Sequence, residues 1–145
     1  MYLLDTNIVS MLDSRRRDHA PALIEWMERN GAGLFLSVMT IAELDAGVLK
    51  LRRERKMRRA DEIADLVAAI LTDFADRVLD FDLDTARHVA RLGAATYRQP
   101  LALADLIVAA TAVRHGLVVL TRNMNQFGRL EVPARDPFAK LPPDI

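Results

Sequence analysis

The stretch "LADLIVAATAVRHGLVVLT", Leu103 to Thr121, limits the folds open to this chain more than any other. Its first part reads as a helix apolar nearly all round, closed by Gly116 at a C-cap position. A surface helix needs only one apolar stripe, so a helix of this kind must be central. The "LVVLT" that follows is an apolar run suited to a strand covered on both faces, as parallel strands are. A buried helix leading into such a strand predicts a layered α/β architecture.

The rest of the chain supplies the other layers. "MYLL" reads as a short buried strand and "DTNIVSML" as a turn into a helix. "APALIEWMERN" carries Leu23, Ile24, Trp26 and Met27 in a helical pattern stopped by Asn30 and Gly31. "GLFLS" is a second strand and "VLDFD" a third. Between them, residues 38–77 are too long for one ordinary helix, and Gly47 or the basic stretch predicts a bend between two or three helices. "LDTARHVARLGAATYRQ" is helical with Ala86, Val89, Ala90 and Leu92 or Ala94 on one side, and Pro100 ends it. The tail "VPARDPFAKLPPDI" holds at most one more short strand. Strands separated by helices point to an α/β sandwich around a mainly parallel sheet. With 145 residues, 51% of them hydrophobic, the chain suits a single domain over 1–145.

Composition narrows the chemistry. Lys plus Arg and Asp plus Glu are 20 each, so no net charge draws the chain to nucleic acid or membrane, and any such preference must be local. "LRRERKMRR", Leu51 to Arg59, is basic, whereas "LTDFADRVLDFDLD", Leu71 to Asp84, is acidic. The absence of cysteine excludes disulfides, thiolate nucleophiles and cysteine metal sites. No uncharged apolar run approaches the roughly 20 residues needed to span a bilayer, and Asp5 and Asn7 interrupt any leader-like start. The expectation is a soluble cytoplasmic protein, not a membrane one.

In open α/β sheets ligands bind beyond the carboxyl ends of the strands, where strand order reverses. Asp5 lies at such an end, and "TRNMNQ" follows another. Asp105 is the only charged residue between Arg98 and Arg114, in the first turn of the most apolar helix. A buried carboxylate there needs a partner, a proton or a cation, unless it serves only the helix dipole. Glu43 closes "TIAE", which matches a capping box with Thr40 as cap, but an earlier helix start would turn it toward the sheet edge holding Asp5. Asn123 suits a turn or a neutral oxygen ligand beside Thr121. Three gathered carboxylates repel one another and require a proton or a divalent cation. Oxygen-only ligands suit Mg²⁺ or Mn²⁺, and that combination serves phosphodiester hydrolysis.

Taken together, "LLDTNIVS", "IAEL", "ADLIVAATA" and "GLVVLTRNMNQF" resemble, in order and spacing over nearly the whole chain, the PIN-domain ribonucleases of VapBC-type toxin-antitoxin pairs, with the FitB-like branch nearest. The resemblance implies a PIN-like three-layer α/β/α sandwich and a Mg²⁺-dependent endoribonuclease acting as a toxin. It implies Asp5 and Asp105 as the most direct metal ligands. Glu43 would bind a second metal or position and deprotonate the attacking water. Thr6, Asn7 and Thr121 would fix ligand geometry. A cognate VapB/FitA-like antitoxin, contact with operator DNA only through that antitoxin, an RNA substrate and a homodimer are implied as well.

Where family members commonly carry a fourth acid, this chain has the neutral Asn123 and Gln126. The competing reading is therefore a non-catalytic PIN-like module that binds RNA or protein with an incomplete metal site. Arg52, Arg53 and Arg55 in the basic stretch could track RNA or an acidic partner, as could Arg15, Arg16 and Arg17, although such runs more often form solvated faces. His19, His88 and His115 have no mutual ligand spacing. "DFDLDTA" misses the phosphatase motif DxDxT by one place, and Asp84 with Thr85 reads as helix-start chemistry.

Overall fold

The computed structural model describes residues 1–145, and its centre is a five-stranded, all-parallel sheet. The strands are β1 Tyr2–Leu4, β2 Leu34–Ser37, β3 Val78–Leu79, β4 Val118–Leu120 and β5 Ala134–Arg135, in spatial order β3-β2-β1-β4-β5. Tyr2 pairs with Leu34 on one side and Val118 on the other. From β1 the chain builds outward through β2 and β3, then returns to place β4 on the opposite side. The reversal therefore falls between β1 and β4, where an open parallel sheet leaves a crevice at its carboxyl edge.

Alternation along the strands separates two cores. Tyr2, Leu4, Leu34, Leu36 and Leu120 face one side, where they meet Leu23, Ile24, Trp26 and Met27 of α2 (Pro21–Arg29) and Val67 and Ile70 of α4 (Met57–Asp73). Leu3 and Val119 face the other, against Leu106, Val108, Ala109 and Ala112 of α6 (Leu103–His115) and Phe127 of α7 (Met124–Arg129). The two central strands β1 and β4 are covered on both faces and apolar throughout, which is why "LVVL" shows no polar alternation. The result is three layers. No helix is long and apolar enough to cross a membrane.

The central helix behaves as its composition requires. Leu106 and Val108 to Ala112 of α6 are buried, and Gly116 ends the helix at φ +64, where a side chain would be strained. Helix α5 (Leu83–Ala95) packs on α6 through a narrower stripe than expected. Thr85, Val89, Leu92 and Thr96 turn inward at alternating spacings of four and three, while Ala90 and Ala94 face solvent. Alanines are too small to mark a face. The cap of α5 is Asp82 rather than Asp84: its Oδ1 accepts from Thr85 N at 2.7 Å and Thr85 Oγ1 at 2.8 Å.

The long helical region breaks once, in the basic stretch and not at Gly47. Helix α3 runs Val38–Arg53 and α4 begins at Met57, with Arg55 left-handed at φ 58 between them. Gly47 sits inside α3 with open space around it. Lys50, Arg52 and Arg53 close the last turn of α3, where positive charge suits the helix dipole.

Candidate active site

Asp5 directly follows β1, and its backbone N–H still bonds across the sheet to Leu120 O at 3.0 Å. Its carboxylate then caps α1 (Thr6–Val9). Oδ1 accepts from Thr6 N at 2.8 Å, and Oδ2 accepts from Asn7 Nδ2 at 2.7 Å and from Thr121 Oγ1 at 2.6 Å. The residue is buried, but every donor is neutral. Burial pushes its carboxyl above the ordinary carboxylate range, against the lowering pull of Thr121, Thr6 and Asn7.

Thr121, at the end of β4, ties the two central strands together. Besides donating to Asp5, its Oγ1 accepts from Asn7 Nδ2 at 3.2 Å and from Asn123 N at 2.9 Å. Asn7 Oδ1 in turn accepts from Arg122 N at 3.2 Å. Both turns at the crevice are thus held by one network centred on Asp5, so Thr6, Asn7 and Thr121 all bond to acids or to each other.

Glu43 reaches the same edge because α3 starts earlier than a Thr40 cap would allow. Ser37 is the cap, its Oγ accepting from Met39 N at 3.1 Å. Thr40 lies inside the helix, fully buried, with its hydroxyl unpartnered. There is consequently no capping box. Glu43 Oε2 instead accepts from Thr6 Oγ1. Sequence alone could not separate the two starts, since Ser37 and Thr40 are both favourable cap residues and only Thr40 is followed by a glutamate at capping-box spacing.

Asp105 enters from the first turn of α6, partly buried. Burial first, and then the negative charges of Asp5 and Glu43, hold its carboxyl above the ordinary range, and no donor acts to lower it. The three acids border one cleft of about 350 Å³ with Thr6, Asn7 and Asn123. They line it without closing on a common point: no cluster of three acidic or histidine side chains is preformed to hold a metal ion.

The remaining candidates separate. Asn123 lines the cleft at the start of α7. Gln126 borders an adjoining hollow with Arg122, Met124 and Asn125, and its Oε1 is buried without a partner. Arg52, Arg53 and Arg55 lie at the far end of α3, roughly 14 Å along the helix from Glu43, and do not line the cleft. Two lining residues, Ser10 and Arg16, are ones an inventory of acids does not find.

The donor set fits a hard divalent cation that keeps much of its water, since two or three carboxylates with open space between them are what such an ion takes. Asp5 supplies the supporting observation, being a buried carboxylate that no cationic side chain of the chain neutralises.

Known proteins share this fold. The PIN domain family matches residues 2–132. The VapC ribonuclease Y4jK of Sinorhizobium fredii is 37% identical over 130 residues, 88% of this chain and 90% of that protein. Toxin FitB of Neisseria gonorrhoeae is 34% identical over 141 residues, 95% and 99% of the two chains. The crystal structure of FitAcB from the same organism superposes with a TM-score of 0.77 at 31% identity, covering 95% of this chain and 99% of that one. A toxin-antitoxin complex from Klebsiella pneumoniae aligns over 100% of both chains with a TM-score of 0.61 at 28% identity. The family match, the superposition and sequence kinship across nearly the whole length agree: this chain belongs to the PIN-domain family, among the VapC and FitB toxins.

Proposed function

We propose that the chain is a metal-dependent endoribonuclease that hydrolyses RNA phosphodiester bonds, and the toxin of a pair whose antitoxin holds it inactive. One observation carries the catalytic part. At the reversal point of the sheet a buried Asp5 has only neutral donors, and the nearby Asp105 is opposed in its ionisation by Asp5 and Glu43. Such a site destabilises its own charges unless a cation joins it. Kinship to a VapC ribonuclease and to a toxin supports the substrate class and the partner.

Asp5 and Asp105 would hold Mg²⁺ or Mn²⁺. When bound, the ion lowers the pKa of a coordinated water and draws charge from the phosphate oxygens. Thr121 and Asn7 fix Asp5 Oδ2, so its orientation is set before any ligand arrives. Thr6 holds Glu43 Oε2, leaving Oε1 to take the proton of the water that attacks phosphorus as a P–O ester bond breaks. Asn123 can orient a ligand but brings no negative charge, which favours one firmly held ion over two.

The test is a titration of purified, antitoxin-free protein with Mg²⁺ and end-labelled RNA, with melting temperature as a second readout. Wild type is expected to cleave only with metal and to melt higher in its presence. Asp5→Asn and Asp105→Asn are expected to lose roughly 10²–10³-fold in rate, the scale of losing one preorganised charged group. Cleavage that survives both substitutions, or none at any metal concentration, sinks the nuclease reading. RNA binding without cleavage would instead favour a non-catalytic module, the reading to which the neutral Asn123 and the unclosed acid cluster point.

A further inference from the structure

Three arginines follow one another in the loop after α1, and only the middle one is turned to the cleft. Arg15 Nη2 lies 2.8 Å from Glu62 Oε2, and Arg17 Nη2 lies 3.2 Å from Glu28 Oε1. Arg16 belongs to no ion pair. Its Nη1 donates to Ser10 Oγ at 3.0 Å, Ser10 Oγ donates to Asn7 O at 3.0 Å, and both side chains border the cleft that holds Asp5, Glu43 and Asp105.

This placement is built into the fold. Asp13 is buried and forms a two-pronged ion pair with Arg59 of α4. Asp13 also organises the loop: its carbonyl accepts from Arg16 N at 2.8 Å and Arg17 N at 3.0 Å, and its Oδ1 accepts from Arg15 N at 3.3 Å. A buried pair therefore fixes the turn that presents Arg16. The charge of Arg16 is also felt at Asp13, but that carboxylate is already taken by Arg59.

Arg16 is the only cationic side chain that lines the cleft. Three carboxylates repel an approaching phosphodiester, whose single charge sits on its two nonbridging oxygens. A guanidinium presents paired donors that match two such oxygens, and it stays charged at any working pH. An arginine left unpaired beside neighbours that are both paired is set to receive an anion from outside. We infer that Arg16 is the phosphate-binding residue of this cleft, its guanidinium taking the nonbridging oxygens of the RNA phosphodiester seated against the acids. As the attacking water bonds to phosphorus and the P–O ester bond breaks, those oxygens gain negative charge and the contact strengthens, so Arg16 acts on rate as well as binding. The effect on rate rests on the nuclease reading; the effect on binding does not.

The experiment uses the full chain and a fluorescein-labelled single-stranded RNA. Binding is measured by anisotropy in Ca²⁺ over a range of salt, and cleavage in Mg²⁺, for wild type, Arg16→Ala, Arg16→Lys, Arg15→Ala and Arg17→Ala. Arg16→Ala is expected to melt within about 2 °C of wild type, because the side chain is exposed. It should reduce kcat/KM by roughly 10²-fold, mostly in kcat, with partial recovery in Arg16→Lys. Its binding should lose about 0.7 from the slope of log affinity against log salt, the share of one single-strand phosphate. Arg15→Ala and Arg17→Ala are expected to stay within about threefold of wild type on both readouts, as exposed paired arginines.

If Arg16→Ala cleaves and binds like wild type, or Arg15→Ala and Arg17→Ala fall equally, the assignment is wrong and the loop is a general charged surface or a protein contact. If wild type binds RNA with an Arg16-dependent salt slope but never cleaves, the phosphate assignment stands and the nuclease reading falls. If wild type neither binds nor cleaves RNA, both fall.

Discussion

Asp5 and Asp13 are equally shielded from solvent, each 5% exposed, yet Asp5 lies deeper in the protein and their acidities move in opposite directions. Asp13 is held below the ordinary carboxylate range, above all by its hydrogen bond from the Arg59 guanidinium, with smaller help from the backbone of Arg15. Asp5 is pushed above that range because burial outweighs three neutral hydrogen bonds. Solvent exposure alone therefore does not describe a carboxylate; its depth and the charge of its partners do. One aspartate is completed by its own chain and serves the fold. The other is left short of positive charge at the crevice between β1 and β4, which is the observation behind the proposed cation.

Breaking the completed pair should have the larger consequence for stability. Asp13→Asn leaves a partly buried Arg59 with only Glu62 beside it and unties the loop that Asp13 organises, at a cost of about 3 kcal/mol, the lower end for breaking a buried pair. Thermal unfolding should show a fall of roughly 10 °C in this size of chain. A change below about 2 °C would place the Asp13–Arg59 pair with ordinary surface pairs and remove the contrast.

The next effect tests whether the network around Asp5 orients it. Thr121→Val keeps the shape and removes the hydroxyl that donates to Asp5 and accepts from Asn123 N. Stability is expected to drop by about 1 kcal/mol. Mg²⁺ affinity, measured by calorimetry, should fall by about 10- to 100-fold, as when a supporting group behind a ligand is lost. Unchanged affinity would mean that Asp5 is held well enough by Thr6 and Asn7.

How much of this was legible from the residues follows the same division. The all-apolar helix at Leu103–His115 and the run "LVVL" identify buried elements of a layered α/β sheet, because burial on all sides leaves no polar alternation to misread. Asp105 stands out against that background for the same reason. Local rivals obscure the rest. Thr40 and Ser37 are both good caps, so only the packing of α3 decides where Glu43 points. The α3–α4 break at Arg55 falls on a non-glycine left-handed residue, while Gly47, the stronger breaker, stays helical. Arg16 is indistinguishable from Arg15 and Arg17 until Glu62 and Glu28 arrive from other helices to claim its neighbours.

A smaller effect of opposite sign should follow at Asp105. Its carboxylate is disfavoured by burial and by Asp5 and Glu43, so Asp105→Asn removes a repulsion from the metal-free fold. The melting temperature of that form is expected to rise by roughly 1–3 °C while activity is lost, a trade common where a site stores unfavourable charge. A fall would mean that Asp105 is compensated after all and does not belong with Asp5.

The last test uses pH to read both classes of aspartate in one protein. Asp13 has a lowered folded pKa, so its contribution is complete above its unfolded value of 3.8 and disappears only as pH falls through the lower folded value. Asp5 and Asp105 have raised folded values, so between 3.8 and those values the folded chain binds more protons than the unfolded one. Stability in that window must then decrease as pH rises, and the penalty is complete once pH has passed the raised values. Under the proposed function a divalent cation would substitute for the missing protons. The gain in melting temperature on adding Mg²⁺ should therefore be largest above the raised values and shrink as pH falls through them, where the two carboxyls take up protons and the ion has less to neutralise. A gain that is flat with pH would mean that the ion acts elsewhere on the chain, and Asp5 would lose its distinction from Asp13.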